Sequence, residues 1–179
     1  MKIISKIFLS TLIILSGISC NSTTEKKETK KSDGSFAVKK ISDGDTFWIY
    51  NGTSEGEKIR LIGVDAPESK NVFKKRKGYF GTEAKEYLTN LLKGKHVKLE
   101  YDVDHTDQYG RILAYVYLED GTFVNAELVK SGFAMVMTVP PNVKYADVFL
   151  KLQKEARDKN RGLWNFSDHN LKIEIIKKL

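Results

Sequence analysis

Apolar and polar positions change period along the chain, and each change marks an element. Phe36-Ala37-Val38-Lys39-Lys40-Ile41-Ser42 and Asp45-Thr46-Phe47-Trp48-Ile49-Tyr50 are rich in aromatic and branched residues, and the polar pair Asp43-Gly44 separates them. This pattern predicts two strands joined by a turn. Asn51-Gly52 and Gly56 punctuate the loop that follows, and a third strand runs from Lys58 to Val64 until Asp65-Ala66-Pro67 ends it. Residues 66–78 read as a loop. Phe80, Ala84, Tyr87, Leu88, Leu91 and Leu92 then recur at helical spacing, with Glu83 in the first turn and Gly94 as the stop. Val97, Leu99, Tyr101 and Val103 alternate with Lys98, Glu100 and Asp102, the clearest period-two strand of the sequence. Arg111 to Leu118 is a further strand, closed by the turn Asp120-Gly121. A short helix around Val124 and Leu128 stops at Gly132, and an extended piece starts at Phe133. The last helix carries Val148, Phe149, Leu152 and Ala156 on one face, with Gly162 past its end.

Three strands, a helix and two more strands are the element count of an OB-fold. The expected class is therefore α+β, mainly β: a five-stranded OB-fold barrel with about three helices. There is no internal repeat. Small barrels of this kind bind oligonucleotides on one face, but the fold alone assigns no reaction.

The ends of the chain have a different composition. Residues 1–19 place Lys2 and Lys6 before an uncharged apolar run, Ile7 to Leu15. That run is shorter than the roughly 20 residues a membrane-spanning helix needs, and the layout is that of a secretory signal peptide. Cys20, the only cysteine, follows Gly17-Ile18-Ser19, so no intrachain disulfide is possible. Leu15 to Cys20 resembles a bacterial lipobox in which Cys20 becomes lipidated, although Gly17 departs from the usual pattern; cleavage nearby with a free thiol is the alternative. Residues 20–35 contain no apolar side chain large enough to bury and read as a disordered polar tether. Residues 36–166 form the expected domain and 167–179 a basic tail. The formal charge is +7, and losing Lys2 and Lys6 with the first segment leaves +5. A basic chain favours anionic partners, nucleic acid among them, without choosing between them.

The candidate chemistry lies at strand ends. Asp43-Gly44-Asp45-Thr46 occupies the first hairpin, and Asp65-Ala66-Pro67-Glu68 follows the third strand. Each alone is ordinary turn chemistry. Together, in a barrel, these carboxylates can converge, and oxygen ligands without cysteine or histidine suit calcium or magnesium. Arg60 sits within a strand and Arg111 opens one after Asp107-Gln108-Tyr109-Gly110. Guanidinium matches phosphate geometry bidentately, so a cation, a carboxylate base and two arginines suit phosphodiester hydrolysis. Structural ion pairs among the same residues are the other reading, and the residues alone leave both open.

Three ordered runs carry a family resemblance: Ile41-Ser42-Asp43-Gly44-Asp45-Thr46; Arg60-Leu61-Ile62-Gly63-Val64-Asp65-Ala66-Pro67-Glu68; and Asp107-Gln108-Tyr109-Gly110-Arg111-Ile112-Leu113-Ala114-Tyr115. With the helix between the last two and the late Arg161-Gly162-Leu163-Trp164, the chain resembles the staphylococcal nuclease family over residues 36–166. The resemblance implies that Asp45, Asp65 and the Ala66 carbonyl bind one calcium ion. It implies Glu68 as general base, and Arg60 and Arg111 as the phosphate-binding and transition-state-stabilising pair. Gln108, Tyr109 and Tyr115 become substrate-binding candidates. The implied activity is calcium-dependent hydrolysis of single- and double-stranded DNA and of RNA with little sequence preference, leaving 3′-phosphates. The implied protein is a monomeric, exported endonuclease, secreted or held at the bacterial envelope only by an N-terminal lipid.

The departures from the family pattern also carry expectations. Ala66 stands where the familiar enzyme has threonine, which a main-chain ligand tolerates. Gln108 replaces a lysine that helps hold a terminal phosphate. Thr138 and Pro140 fall where two tyrosines line the nucleotide site, and lost stacking costs ~1–3 kcal/mol per base. Weaker or differently shaped substrate binding is expected, with the reaction intact. The basic loop Lys74-Lys75-Arg76-Lys77 either contacts phosphates or is simply solvated. His96, His105 and His169 have no zinc-ligand spacing, and Asp102, Asp104 and Asp107 read as an acidic turn rather than a second calcium loop. Two rival functions are a catalytically silent OB module and a structural calcium-binding envelope lipoprotein. Neither needs both arginines.

Overall fold

The computed structural model describes residues 34–71 and 78–165. The expected signal segment, Cys20, nearly all of the tether, the basic loop 74–77, His169 and the C-terminal tail lie outside them. Strands β1 (Phe36–Asp43), β2 (Thr46–Ile49), β3 (Glu57–Leu61), β5 (His96–Glu100) and β6 (Ile112–Leu118) close a barrel in the order β1-β2-β3-β6-β5. All neighbours are antiparallel except β3 and β6, which run parallel, Arg60 opposite Leu113. The strand-helix-strand order read from the sequence is therefore the order of a five-stranded OB barrel. Inward-pointing Phe47, Ile49, Ile59, Val97, Ala114 and Val116 are fully buried and fill it.

Helix α1 (Gly81–Leu92) buries Ala84, Leu88 and Leu92, a stripe at i, i+4 and i+8, against the barrel. Helices α2 (Val124–Lys130) and α3 (Ala146–Asp158) pack on each other beside β6. The buried face of α3 centres on Phe149 and Ala156, and Gln153 on the same side accepts a hydrogen bond from the Val136 N–H at 2.8 Å. Val148, expected on that face, lies about 100° round the helix from Phe149 and is 44% exposed. Asn125 on α2 is fully buried. Its amide donates to the Ile62 and Ala114 carbonyls at 2.9 and 3.3 Å and accepts from the Val116 N–H at 2.9 Å, tying the helix to the place where β3 leaves the barrel.

Two expected strands are shorter than their hydrophobic pattern. The third ends at Leu61, because Gly63 (φ 77°) turns the chain and a side chain there would strike the Phe149 ring. Val64–Asp65 then forms a separate strand, β4, paired with β7 (Met135–Val136), and this turn swings Asp65 toward the barrel mouth. The strand from Val97 stops at Glu100, leaving Tyr101 and Val103 44% and 67% exposed. The Asp102 carboxylate ends it by accepting the N–H groups of Val103 and Lys144 (3.0 and 3.1 Å) and the Tyr115 hydroxyl (2.9 Å). Burial opposes the Asp102 charge, but these hydrogen bonds outweigh it and hold the pKa below its ordinary 3.8.

A carboxyl with a depressed pKa stabilises the fold above its unfolded pKa and loses that contribution as pH falls through the folded value. Asp102→Asn should therefore lower the melting temperature at pH 7, and its deficit should shrink steadily below pH 3.8. Thermal unfolding of both proteins from pH 7 down to about pH 2.5, a range that crosses the usual aspartate titration, checks this. A deficit independent of pH would show that the charge contributes nothing.

Candidate active site

The turn between β1 and β2 is held tight against two other segments. A Cβ on Gly44 would lie 2.7 Å from the Ala66 Cβ and 2.9 Å from the Ala84 Cβ, so only glycine lets the hairpin, the Asp65–Glu68 segment and α1 meet here. Asp45, 7% exposed, accepts the Thr46 hydroxyl on Oδ1 (2.8 Å) and the Ala66 N–H on Oδ2 (2.9 Å). Arg60, 9% exposed, reaches the same carboxylate from β3 at 3.2 Å. Its Nη2 also lies 2.9 Å from Asp65 Oδ1, while Nη1 donates to the carbonyls of Leu61 (2.8 Å) and Val64 (2.6 Å). One guanidinium thus bridges both predicted cation-binding carboxylates and ties down the turn that carries Asp65.

Glu68 stands beside this cluster, its backbone anchored at the start of α1. Its carbonyl accepts the Gly78 N–H (2.9 Å), and a side chain on Gly81 would collide with that carbonyl. The Asp43 carboxylate accepts the N–H groups of Gly44 and Ser69 (2.9 and 3.0 Å). Burial first, and then the adjoining Glu68 carboxyl, push the Asp43 pKa above its ordinary value. Asp43 and Glu68 thus line the same cleft as Asp45 and Asp65, the two carboxylates that one guanidinium bridges.

Arg111 comes from just before β6, the strand paired beside β3. The loop before β6 folds on Asp107, whose Oδ1 accepts the Tyr109 and Arg111 N–H groups at 2.9 and 3.0 Å. Oδ2 holds the Arg111 Nε at 2.6 Å, leaving the outer edge of a side chain that is 26% exposed. Burial works against the Asp107 charge, but the hydrogen bonds from Arg111 and Tyr109 prevail and keep its pKa low. The Tyr109 ring, 74% exposed as a residue, lies 5.4 Å from that guanidinium.

Asp45, Arg60, Asp65, Ala66, Glu68, Gln108, Tyr109 and Arg111 all line one open cleft of about 620 Å³. Tyr115 does not. It shares the outward face of β6 with Leu113 but lies further along the strand, under Phe123, Tyr145 and Phe149, and is 1% exposed with its hydroxyl on Asp102. Tyr115 is a core residue, and its expected place in substrate binding is corrected accordingly. Pro140, which the family resemblance aligns with a tyrosine of the nucleotide site, lines the cleft.

Sequence reasoning gave no separate role to Asp43, though it stands inside a quoted motif, and missed Lys58, Lys70 and Asn142, which also line the cleft. Asn142 clasps Asp104 through two 2.8 Å hydrogen bonds, bracing the acidic loop that leads to Asp107. Nothing local in the sequence marks it. Among the described residues, no three acidic, histidine or cysteine side chains already converge as a cation site. The donor chemistry nevertheless fits a hard cation: the ligands are oxygens, and four carboxylates outnumber the one bridging guanidinium.

Comparison with known proteins places these residues in a family. Residues 58–166 match the model of the staphylococcal nuclease homologues. The chain is 37% identical over 153 residues to a thermonuclease of Staphylococcus intermedius, covering 86% of this chain and 89% of that protein. It is 34% identical over 134 residues to the thermonuclease of Staphylococcus hyicus, with 75% and 78% covered. It is 35% identical over 157 residues to the endonuclease YncB of Bacillus subtilis, with 83% and 72% covered. The family model spans most of the chain, the barrel has the expected topology, and the acidic and arginine residues of the three motifs share one cleft: the protein belongs to the staphylococcal nuclease homologue family.

Proposed function

We propose that the protein is a calcium-dependent nuclease that hydrolyses phosphodiester bonds of DNA and RNA with little sequence preference and leaves 3′-phosphates. The observation that carries this reading is that Arg60 on β3 and Arg111, just before the paired strand β6, open on the one cleft that also holds Glu68, Asp45 and Asp65. The phosphate sits between the two guanidiniums, which donate to its non-bridging oxygens and stabilise the negative charge that grows there. Arg60 keeps Nη1 on the Leu61 and Val64 carbonyls, which fixes its plane, and turns Nη2 from carboxylate to phosphate. The Asp107 carboxylate fixes Arg111 in the same way.

Glu68 accepts a proton from a water molecule as that water attacks phosphorus. The bond from phosphorus to the 5′ oxygen breaks, the leaving oxygen takes a proton from solvent, Glu68 returns its proton to solvent, and the phosphate stays on the 3′ oxygen. Asp45, Asp65 and the Ala66 carbonyl are the residues that would hold one calcium ion, whose charge would lower the barrier by stabilising phosphoryl oxygens and acidifying bound water. Asp43 sits against Glu68 and tunes the field around the base. Residues 1–19 support export, with the protein either lipidated at Cys20 or released by cleavage nearby; among the described residues no helix is long and apolar enough to cross a membrane. The protein acts as a monomer.

Purified protein should cut single-stranded DNA with calcium and stop when a chelator is added. Glu68→Gln or Arg111→Ala should each lower the rate about 10²- to 10³-fold, the cost of removing one transition-state contact, with folding unchanged by circular dichroism. Native protein that binds DNA but never cuts it with calcium would overturn the assignment in favour of a silent binding module. A second expectation concerns salt. The logarithm of the apparent affinity for DNA should fall linearly with log salt, with a slope of about −0.7 per phosphate contacted on single strands, which a titration of KM against sodium chloride measures.

A further inference from the structure

The outer face of the barrel carries a row of side chains that the proposed reaction does not use. Lys40, Trp48 and Lys58 stand opposite one another on β1, β2 and β3. Phe47 and Ile49 on either side of Trp48 are fully buried, so the indole points outward by strand alternation. It is half-buried, with Lys40 Nζ 4.6 Å from its ring centroid and its own N–H donating to Ser42 Oγ at 2.9 Å. The next row along the same two strands pairs Thr46 with Arg60. Two residues of strand separate the rows, roughly 7 Å. Ser42 and Lys58 both line the cleft, so the row begins at its rim.

We propose that the Lys40-Trp48-Lys58 row is an accessory subsite for the single-stranded polynucleotide whose scissile phosphate lies between Arg60 and Arg111. This rests on the nuclease reading and extends it. Two lysines flank one aromatic ring with no acidic residue between them in the register, which is the combination that holds a strand without reading its sequence. The amines meet phosphates, and the ring offers a π-face that any base can stack on. Lys40 now lies over the indole, and it moves from ring to phosphate as a base takes its place. The hydrogen bond to Ser42 fixes the indole relative to the cleft, so a base stacked there anchors the strand beyond the two nucleotides that flank the scissile phosphate. The row spans two inter-strand spacings, about 10 Å, and so extends the substrate contact along the strand rather than enlarging the catalytic pocket.

The test compares the full chain with Trp48→Ala, Trp48→Phe and Lys40→Ala. Binding of a ~12-nucleotide oligothymidine, within the range one OB barrel accommodates, is measured in a Glu68→Gln background that does not cut. Cleavage of a thymidine dinucleotide, too short to reach the row, is measured with Glu68 present. Trp48→Ala should weaken oligonucleotide binding about 5- to 10-fold, the lower part of the range for one stacked base, and leave dinucleotide cleavage unchanged. Trp48→Phe, which keeps a ring but not the Ser42 hydrogen bond, should recover most of that affinity. Lys40→Ala should reduce the salt slope by about one phosphate contact. A folded Trp48→Ala protein with native oligonucleotide affinity overturns the proposal. So does an equal loss on both substrates, which would make Trp48 a support for the cleft. Loss of binding to phosphatidylglycerol vesicles with oligonucleotide affinity intact would assign the row to a lipid surface instead. If the native protein cuts neither substrate, the nuclease reading fails by itself, and oligonucleotide affinity still decides the row.

Discussion

Arg60 is 9% exposed and yet fully charged, and much of the cleft follows from how its guanidinium is satisfied. A buried cation without acceptors is strongly destabilising. Here the acceptors are two backbone carbonyls, Leu61 and Val64, and two carboxylates, Asp45 and Asp65. The carbonyls converge on Nη1 only because the chain turns between them at Gly63, which ends β3 and starts β4. Asp65 therefore reaches the mouth of the barrel instead of continuing along its wall. Asp45 comes from the neighbouring hairpin, whose glycine lets the two segments touch. Fold and site are one constraint at this residue. A substitution at Arg60 would disturb both, whereas Arg111, braced mainly by Asp107 and more exposed, separates chemistry from stability more cleanly.

The charge distribution has two scales. The whole chain carries a formal +7, yet the base of the cleft gathers Asp43, Asp45, Asp65 and Glu68. The raised pKa of Asp43 reflects burial first and then the adjoining Glu68 carboxyl. Negative charge accumulates there and is only partly offset by Arg60. Around it, Lys58, Lys70 and Arg111 line the same opening. An acidic base inside a basic rim draws a small cation inward and a polyanion across the top. Lys58 and Arg111 come from β3 and the loop before β6, whereas the acidic base comes from the hairpin, β4 and the segment after it, which also carries Lys70.

How much of this was legible in the sequence depends on the range of the interactions. Strand alternation and helical spacing are local, and they gave the barrel, its element order and α1 correctly. The three motifs are local as well, so eight of the expected site residues meet in the cleft. The failures come from contacts between distant segments. Nothing near residues 58–64 says that Phe149 packs on Gly63, and without that contact the run reads as one strand. Tyr115 stands in a motif and on the face that leads to the cleft, but a helix some 30 residues later covers it. Asn125 reads as an ordinary helix residue, although its amide holds three backbone groups of the barrel. Trp48 was read as strand propensity, because its lysine neighbours come from two other strands.

That last omission bears on the departures at Thr138 and Pro140. The expectation of weaker stacking assumes that aromatic contact must come from the segment after β7, where Pro140 does line the cleft. Trp48 lies on a central barrel strand between two paired neighbours, and its indole is hydrogen-bonded in place. A ring held this way loses less conformational entropy on binding than one presented on a loop, because its rotamer is already restricted. Under the proposal, moving the aromatic contact from loop to strand changes which part of the substrate is gripped, a nucleotide further along the strand rather than one inside the cleft. On the proposed reading, the catalytic geometry is independent of the tyrosines that the family resemblance places at Thr138 and Pro140, because the Trp48 row and the Thr46–Arg60 row are separate rows of the same sheet.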